Sequence, residues 1–164
     1  MNTDKQLLAL VDAAFAAATR PEHFTDFRHC CECAEHDALL RSRDRDSLRI
    51  DDVGHPGWDP LCFCSAEGIA YFFPALARLA LAAPSPRHGW YGEQLLFHLG
   101  YGFGDNRFLL CCGTAQRQAV AALLGHLIES RAALIDAGGC ADEFLRCHAL
   151  WRGERPDTPR EPCR

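Results

Sequence analysis

The hydrophobic positions of residues 4–19 follow the period of an α-helix. They recur along one helical face, at Leu7, Leu8, Val11, Phe15 and Ala18. Such a pattern buries one side of a helix against a core, and the run ends before Pro21. A second helix is predicted over residues 29–42. The charged segment that follows, residues 43–60, contains two glycines and two prolines and is predicted to form a long loop.

Two short apolar runs come next, LCFC at residues 61–64 and IAYFF at residues 69–73. The turn-like residues SAEG separate them, and this arrangement predicts a β-hairpin. Pro74 suits the first position of a helix. A proline has no backbone N–H, and at that position the N–H has no hydrogen-bond acceptor within the helix. We therefore expect the hairpin to lead directly into a helix that ends at about Ala83.

The remaining chain is predicted to be mainly helical. Residues 90–102 favour a short helix ended by glycine, and residues 106–112 an extended segment or a helix start. The clearest helical pattern has Thr114 as N-cap, Gln116 to Ala137 as body and Gly138-Gly139 as stop. Residues 141–152 make a last helix. The predicted fold is mainly α (α+β), one compact helical domain over residues 1–152 with one small β-hairpin, followed by a disordered tail at 153–164.

Composition narrows the class of protein. A chain of 164 residues with 48% hydrophobic and 24% charged residues suits one globular domain. The net charge of -5 lacks the basic excess that nucleic-acid binding needs, so no nucleic-acid partner is expected. The N-terminus has neither a basic leader region nor an apolar run of membrane length, which predicts a cytoplasmic protein without a membrane partner. In that reducing compartment, the ten cysteines are expected to be free or metal-bound.

The segment HCCECAEH, residues 29–36, concentrates potential metal ligands. Cys30, Cys33 and His36 have the C-x2-C-x2-H spacing that zinc favours. Alternatively, His29 and Cys33 form a pair four residues apart on one helical face. His29 and His36 lie about 10.5 Å apart along a helix axis, so all four residues cannot bind one ion. Zinc or another thiophilic ion is the expected metal, because mixed cysteine and histidine ligation disfavours magnesium and calcium.

A fourth ligand would have to come from a distant segment. Cys62 and Cys64 are the first candidates, because alternate residues of a strand point to the same side. Further candidates share only their ligand type, and they are His98, Cys111, Cys112, Cys147 and His148. The alternative for the cysteines in the apolar runs LCFC and LLCC is simple core packing, since cysteine is among the most buried residue types.

No sequence signature of a zinc hydrolase is present, which favours a protein that is not an enzyme. A C-x2-C pair at a helix N-terminus would have depressed thiol pKa values, as in oxidoreductases, but the βαβ pattern of those enzymes is not evident. The loop from Asp51 to Pro60 is predicted to contact a basic protein partner. Trp58 would anchor the partner and Asp59, with Asp51 and Asp52, would steer it. The alternative is that Trp58 fills the core.

The segments HCCECAEHDALL, PGWDP and EGIAYFFPALARLAL resemble a family of small bacterial proteins of unknown function. The resemblance implies a bacterial cytosolic origin and one structural unit made of the Cys/His segment, the loop and the hairpin. It implies no catalytic residue. The leading hypothesis is a non-catalytic, immunity- or adaptor-like domain with a structural zinc-type site that binds a protein partner. The alternatives are a protein that senses or handles metal or oxidant, or a metal-dependent enzyme that uses the same cluster.

Overall fold

The computed structural model describes residues 3–154, and these residues form helices and turns with no strand among them. The helices are α1 (Asp4–Phe15), α2 (Cys31–Arg41), α3 (Ile50–Val53), α4 (Ala66–Leu81), α5 (Tyr91–Gly100), α6 (Arg107–Cys111), α7 (Thr114–Ser130), α8 (Ala132–Gly138) and α9 (Ala141–Trp151). Short 3-10 turns occupy Pro56–Trp58, Pro60–Cys62 and Phe103–Asp105. The prediction of a mainly α fold is confirmed. Within the described part of the chain, no helix has the length and apolar character to cross a membrane.

The predicted β-hairpin is wrong. Its first apolar run, residues 61–64, lies in and directly after the 3-10 turn Pro60–Cys62, and its second run belongs to α4. Ser65 starts that helix, because its hydroxyl accepts a hydrogen bond from the backbone N–H of Gly68 at 3.1 Å. Pro74 lies inside α4 rather than at its first position. Because most residues of α4 are buried, its sequence lacks the polar face that would have distinguished a helix from two short strands.

The core is organised around α4, which packs against α1, α5 and α6. Three fully or almost fully buried aromatic rings meet at its centre. The ring of Phe73 lies 4.7 Å from that of Phe15 and 5.3 Å from that of Phe108, measured between centroids. Burying each such ring stabilises the fold by about 1.5–3 kcal/mol. On the other side, α7 packs against α1 and α9 and completes one contiguous core.

The helix predicted over residues 114–139 is interrupted. α7 ends at Ser130 and α8 begins at Ala132, because Arg131 has the non-helical dihedrals φ −123° and ψ 22°. Its guanidinium group donates to Asp4 Oδ2 at 2.8 Å and to the Leu81 carbonyl at 2.6 Å. These long-range contacts explain the break. The N-cap of α7 is also Gly113 and not the predicted Thr114.

Arginine side chains fix the connection between α2 and α4, which was predicted as a loop and contains the short helix α3. Arg45 donates to the Tyr71 carbonyl at 2.7 Å and to the carbonyls of Phe15 and Ala18 at 2.9 and 2.7 Å. Arg43 forms two hydrogen bonds of 2.9 Å with Asp52 in α3. The loop is therefore attached to the core at several points before it reaches the 3-10 turns. The predicted tail lies largely at residues 155–164, outside the described residues.

Candidate metal centre

The N-terminus of α2 brings the two cysteines of the C-x2-C pair together. Cys30 is the N-cap residue and has an extended backbone, φ −159° and ψ 171°. Its Sγ accepts a hydrogen bond from the backbone N–H of Cys33 at 3.4 Å, as a serine or aspartate would at this position. This cap places the Sγ atoms of Cys30 and Cys33 3.4 Å apart. The pairing therefore follows from the way in which the helix begins.

His29 joins the two thiols. Its Nδ1 lies 3.7 Å from Sγ of Cys33, and the ligand atoms of His29, Cys30 and Cys33 all lie within 4.8 Å of one another. A tetrahedral zinc site would need about 3.8 Å between two sulfurs and about 3.5 Å between sulfur and nitrogen, given Zn–S and Zn–N bonds of ~2.3 and ~2.0 Å. Only small movements separate the observed arrangement from that geometry. Cys33 is buried, whereas Cys30 and His29 lie towards solvent.

The two thiols differ in acidity. The backbone N–H of Cys33, together with the side chains of His29 and Cys33, holds the pKa of Cys30 below its ordinary value. The neighbouring Cys30 side chain and burial raise the pKa of Cys33. Cys30 is therefore the more readily ionised thiol, and it is also the more accessible one.

His36, predicted as a third ligand beside Cys30 and Cys33, does not join this group. It is fully buried, and its ring lies between Trp58 and Phe63, with centroids 4.8 and 5.0 Å away. Neither ring nitrogen has a hydrogen-bond partner, although Oε1 of Glu32 lies 3.5 Å from Nε2. The structure thus combines His29 from one predicted arrangement with the cysteine pair from the other.

Cys64 and Cys62, predicted to supply the fourth ligand from one side of a strand, are separated by the loss of that strand. Cys64 is fully buried. Its Sγ packs so closely against Gly68 that a Cβ atom on residue 68 would lie only 2.6 Å from the sulfur. Burial raises its pKa, which is typical of a thiol used in packing. Cys62 lies in the turn before it and is exposed. Burial also raises the pKa of Cys112 and of Cys147 to about 12, so both are core residues.

A second group of ligand types is present, which the sequence did not reveal as a set. The carboxylate of Asp59, the thiol of Cys62 and the imidazole of His98 have ligand atoms within 4.8 Å of one another. Asp59 and Cys62 have D-x2-C spacing, but His98 is far away in the sequence. Cys62 and His98 were both candidate fourth ligands by residue type, but nothing in the sequence paired them with each other or with Asp59.

The membership of Asp59 in this group alters the predicted partner-binding surface of the loop. Trp58 is 45% exposed, so it does not fill the core. Asp59 is 4% exposed, and its Oδ2 accepts hydrogen bonds of 2.6 Å from His98 Nε2 and Gln94 Nε2. An inward-facing carboxylate cannot steer a partner at the surface. Trp58 therefore remains the exposed aromatic of this loop, without Asp59 beside it.

Asp37 holds the segment that precedes His29 against α2, and the sequence did not indicate this role. Its carboxylate accepts hydrogen bonds from His23 Nδ1 and the backbone N–H of Phe24, both at 2.7 Å. Thr25, next along the chain, donates its hydroxyl to the Cys33 carbonyl at 2.7 Å. These contacts hold the segment before α2 against the helix and so limit where His29 can lie.

Comparisons with known proteins supply no functional information. No protein-family model, curated protein or solved structure matches the chain. The resemblance to a family of small bacterial proteins therefore stays a prediction. A function for this chain can therefore be proposed only from the chemistry and geometry of its ligand groups.

Proposed function

We propose that this chain is a small non-catalytic metal-binding domain whose site consists of His29, Cys30 and Cys33. One observation supports the proposal above all: the two sulfurs and one ring nitrogen lie within 4.8 Å of one another around a capped helix N-terminus. Two thiolates and an imidazole favour zinc, or another thiophilic ion, over magnesium or calcium. We further propose that the protein works in the cytoplasm, where its thiols stay reduced.

The exposure of the ligands supports an open site. Structural zinc sites are closed by four protein ligands, whereas working sites keep one position for water or a substrate. Among residues 3–154, no fourth ligand completes the group, and two of its three members face solvent. This supports sensing or transfer of a metal ion over a purely structural role. A protein partner would then approach from the solvent side of Cys30 and His29.

Metal content and ligand substitution test the proposal. The reduced protein, loaded with Co²⁺ under anaerobic conditions, should show thiolate-to-cobalt charge-transfer absorption. Cys33→Ser should lower the bound metal by one ion per chain, because it removes one of two sulfurs from the site. Cys31→Ser is the matched control, since Cys31 is an exposed neighbour outside the group. Equal loading of the parent and Cys33→Ser proteins would contradict the proposal.

A second candidate function, thiol oxidation, is favoured by the 3.4 Å between the two sulfurs. A Cys30 thiolate would attack one sulfur of a small-molecule disulfide, forming a mixed disulfide and releasing one thiol. Cys33 would then attack Sγ of Cys30, which forms the internal disulfide and releases the second thiol. The two protons lost by Cys30 and Cys33 end on the two released thiols, and the two electrons reduce the small-molecule disulfide.

Zinc binding and disulfide formation both use the sulfurs of Cys30 and Cys33, so the effect of zinc on oxidation distinguishes the two candidate functions. Thiol titration during exposure to oxidised glutathione should show the loss of two thiols in the metal-free protein. Prior loading with zinc should slow that loss if the metal site exists. Equal oxidation rates with and without zinc would favour the redox candidate alone. Cys30→Ser should abolish formation of the internal disulfide in either case.

A further inference from the structure

Three side chains from two separate parts of the chain converge beside the Pro60–Cys62 turn. Asp59 caps that turn, Cys62 is its last residue, and His98 belongs to α5. The side chains of Asp59 and His98 are 2% and 7% exposed, while Cys62 is open to solvent. A carboxylate, a thiol and an imidazole in one place are a set of ligands that zinc accepts.

The face of α5 that contains His98 also carries two other polar side chains. Tyr91, Gln94 and His98 are spaced three and four residues apart and so share one helical face. Gln94 donates to Asp59 Oδ2 at 2.6 Å and also to the Val53 carbonyl, which fixes the orientation of the carboxylate. Metal ligands usually have such supporting hydrogen bonds from neighbouring groups.

Tyr91 places a buried hydroxyl on the same face of α5 as His98. Tyr91 is 3% exposed, and its hydroxyl has no hydrogen-bond partner. Burial raises the pKa of Tyr91, and the charges of Asp59 and Cys62 add to the effect. Buried hydroxyl groups are nearly always hydrogen-bonded. The hydroxyl of Tyr91 therefore lacks the partner that a buried hydroxyl usually has.

We propose that Asp59, Cys62 and His98 form a second site for a zinc-type divalent ion, independent of His29, Cys30 and Cys33. The ion would take the place of the proton shared by His98 Nε2 and Asp59 Oδ2, which lie 2.6 Å apart. Tetrahedral coordination would widen that separation to about 3.3 Å. The metal-bound imidazole would carry its one ring proton on Nδ1, the proton having moved from Nε2 by exchange with solvent. The Cys62 thiol would release its proton to solvent. The ion would join the 56–62 turns to α5.

Cadmium titration followed by ¹¹³Cd NMR tests this site on the full chain. Each thiolate ligand shifts a cadmium resonance downfield, so a two-sulfur and a one-sulfur site give separate signals. The parent protein should bind two ions and show two resonances. Cys62→Ser should remove the one-sulfur resonance and one equivalent of metal, while Cys33→Ser should affect only the other signal. Cys111→Ser, an exposed cysteine outside both groups, should change neither.

Cys62→Ser is the deciding variant because its exposed side chain can change without disturbing the core. His98→Gln is a second test, with folding checked by circular dichroism. A parent titration that ends at one equivalent, with only the two-sulfur resonance, would overturn the second site and leave the first in place. Two equivalents that persist in Cys62→Ser would overturn it as well, because the second ion would then lie elsewhere.

Discussion

The Nδ1 of His23 lies 2.7 Å from Oδ2 of Asp37, and this contact holds the segment before α2 against the second turn of that helix. The other carboxylate oxygen accepts from the backbone N–H groups of Phe24 and Thr25 at 2.7 and 3.2 Å. Burial alone would raise the pKa of Asp37. The hydrogen bonds from His23 and the two amides outweigh it and hold that pKa below its ordinary 3.8. The ionised carboxylate therefore stabilises the fold.

The first prediction is that Asp37→Asn lowers the free energy of unfolding at neutral pH by about 1–3 kcal/mol, because it leaves buried donors poorly paired. The pKa of Asp37 is lower in the folded than in the unfolded chain. Its stabilisation is therefore complete above the unfolded value and is lost as the pH falls through the folded value. Urea unfolding should show a constant difference between parent and variant from about pH 7 to 5 that shrinks below about pH 4.

The matched control for this experiment is Asp12→Asn, which changes an exposed carboxylate of α1. It should leave the free energy of unfolding within about 0.5 kcal/mol of the parent at every pH. If the difference caused by Asp37→Asn were as large at pH 3 as at pH 7, the hydrogen bonds would not depend on the ionised carboxylate.

The second prediction concerns metal and stability. Zinc that binds the folded chain alone stabilises it, by about 2.7 kcal/mol when the free ion is at 100 times its dissociation constant. A chelator should therefore lower the melting temperature of the zinc-loaded parent. The decrease should be smaller in Cys33→Ser, which lacks one ligand, and unchanged in Cys31→Ser. Differential scanning calorimetry gives all three values, and an equal decrease in all three proteins would exclude Cys33 as a ligand.

The third prediction is that Trp58 contacts a partner. It is 45% exposed, and Phe63, whose ring also lies against that of His36, is 36% exposed. Large exposed aromatic side chains are the usual anchors of protein interfaces. Trp58→Ala should leave the fold intact and weaken partner binding at least tenfold, a loss of about 1.4 kcal/mol. Binding would be measured by calorimetry with a partner isolated on the parent protein.

The control for Trp58 is Tyr101→Ala, because Tyr101 is a 71% exposed aromatic next to α5 and outside the loop. It should bind the partner as the parent does. Equal affinity of the parent and Trp58→Ala proteins would remove Trp58 from the interface. A Trp58→Ala protein that fails to fold would mean that the indole supports His36 rather than a partner.

The sequence was sufficient to predict those elements that depend on neighbouring residues alone. α1 and α9 have one apolar face, and the ligands at the start of α2 are neighbours along the chain, so spacing alone indicated their chemistry. Only the second half of α4, from Pro74, was predicted as helix. Its first half was assigned to a hairpin because burial on most sides removes the alternation of polar and apolar positions. Where both a strand and a buried helix fit a short apolar run, only its packing partners decide between them.

The parts that could not be predicted depend on contacts between distant residues. Arg131 breaks a long helical pattern because Asp4 and the Leu81 carbonyl bind its guanidinium group. Asp59 lies inward because Gln94 and His98 face it from α5. A single sequence contains each of these residues but does not indicate which pairs meet. The second ligand group was hidden for the same reason.

The last prediction decides whether His36 is a metal ligand. Its ring is fully buried between Trp58 and Phe63, and neither nitrogen has a hydrogen-bond partner. A buried polar group without a partner costs about 1–3 kcal/mol, so His36→Phe should raise the free energy of unfolding by about 1–2 kcal/mol and leave metal affinity unchanged. His36→Asn, which keeps a polar group in the cavity, should give no such gain. Urea unfolding and zinc titration of the three proteins provide the measurement, and a loss of zinc affinity in His36→Phe would restore His36 to the site.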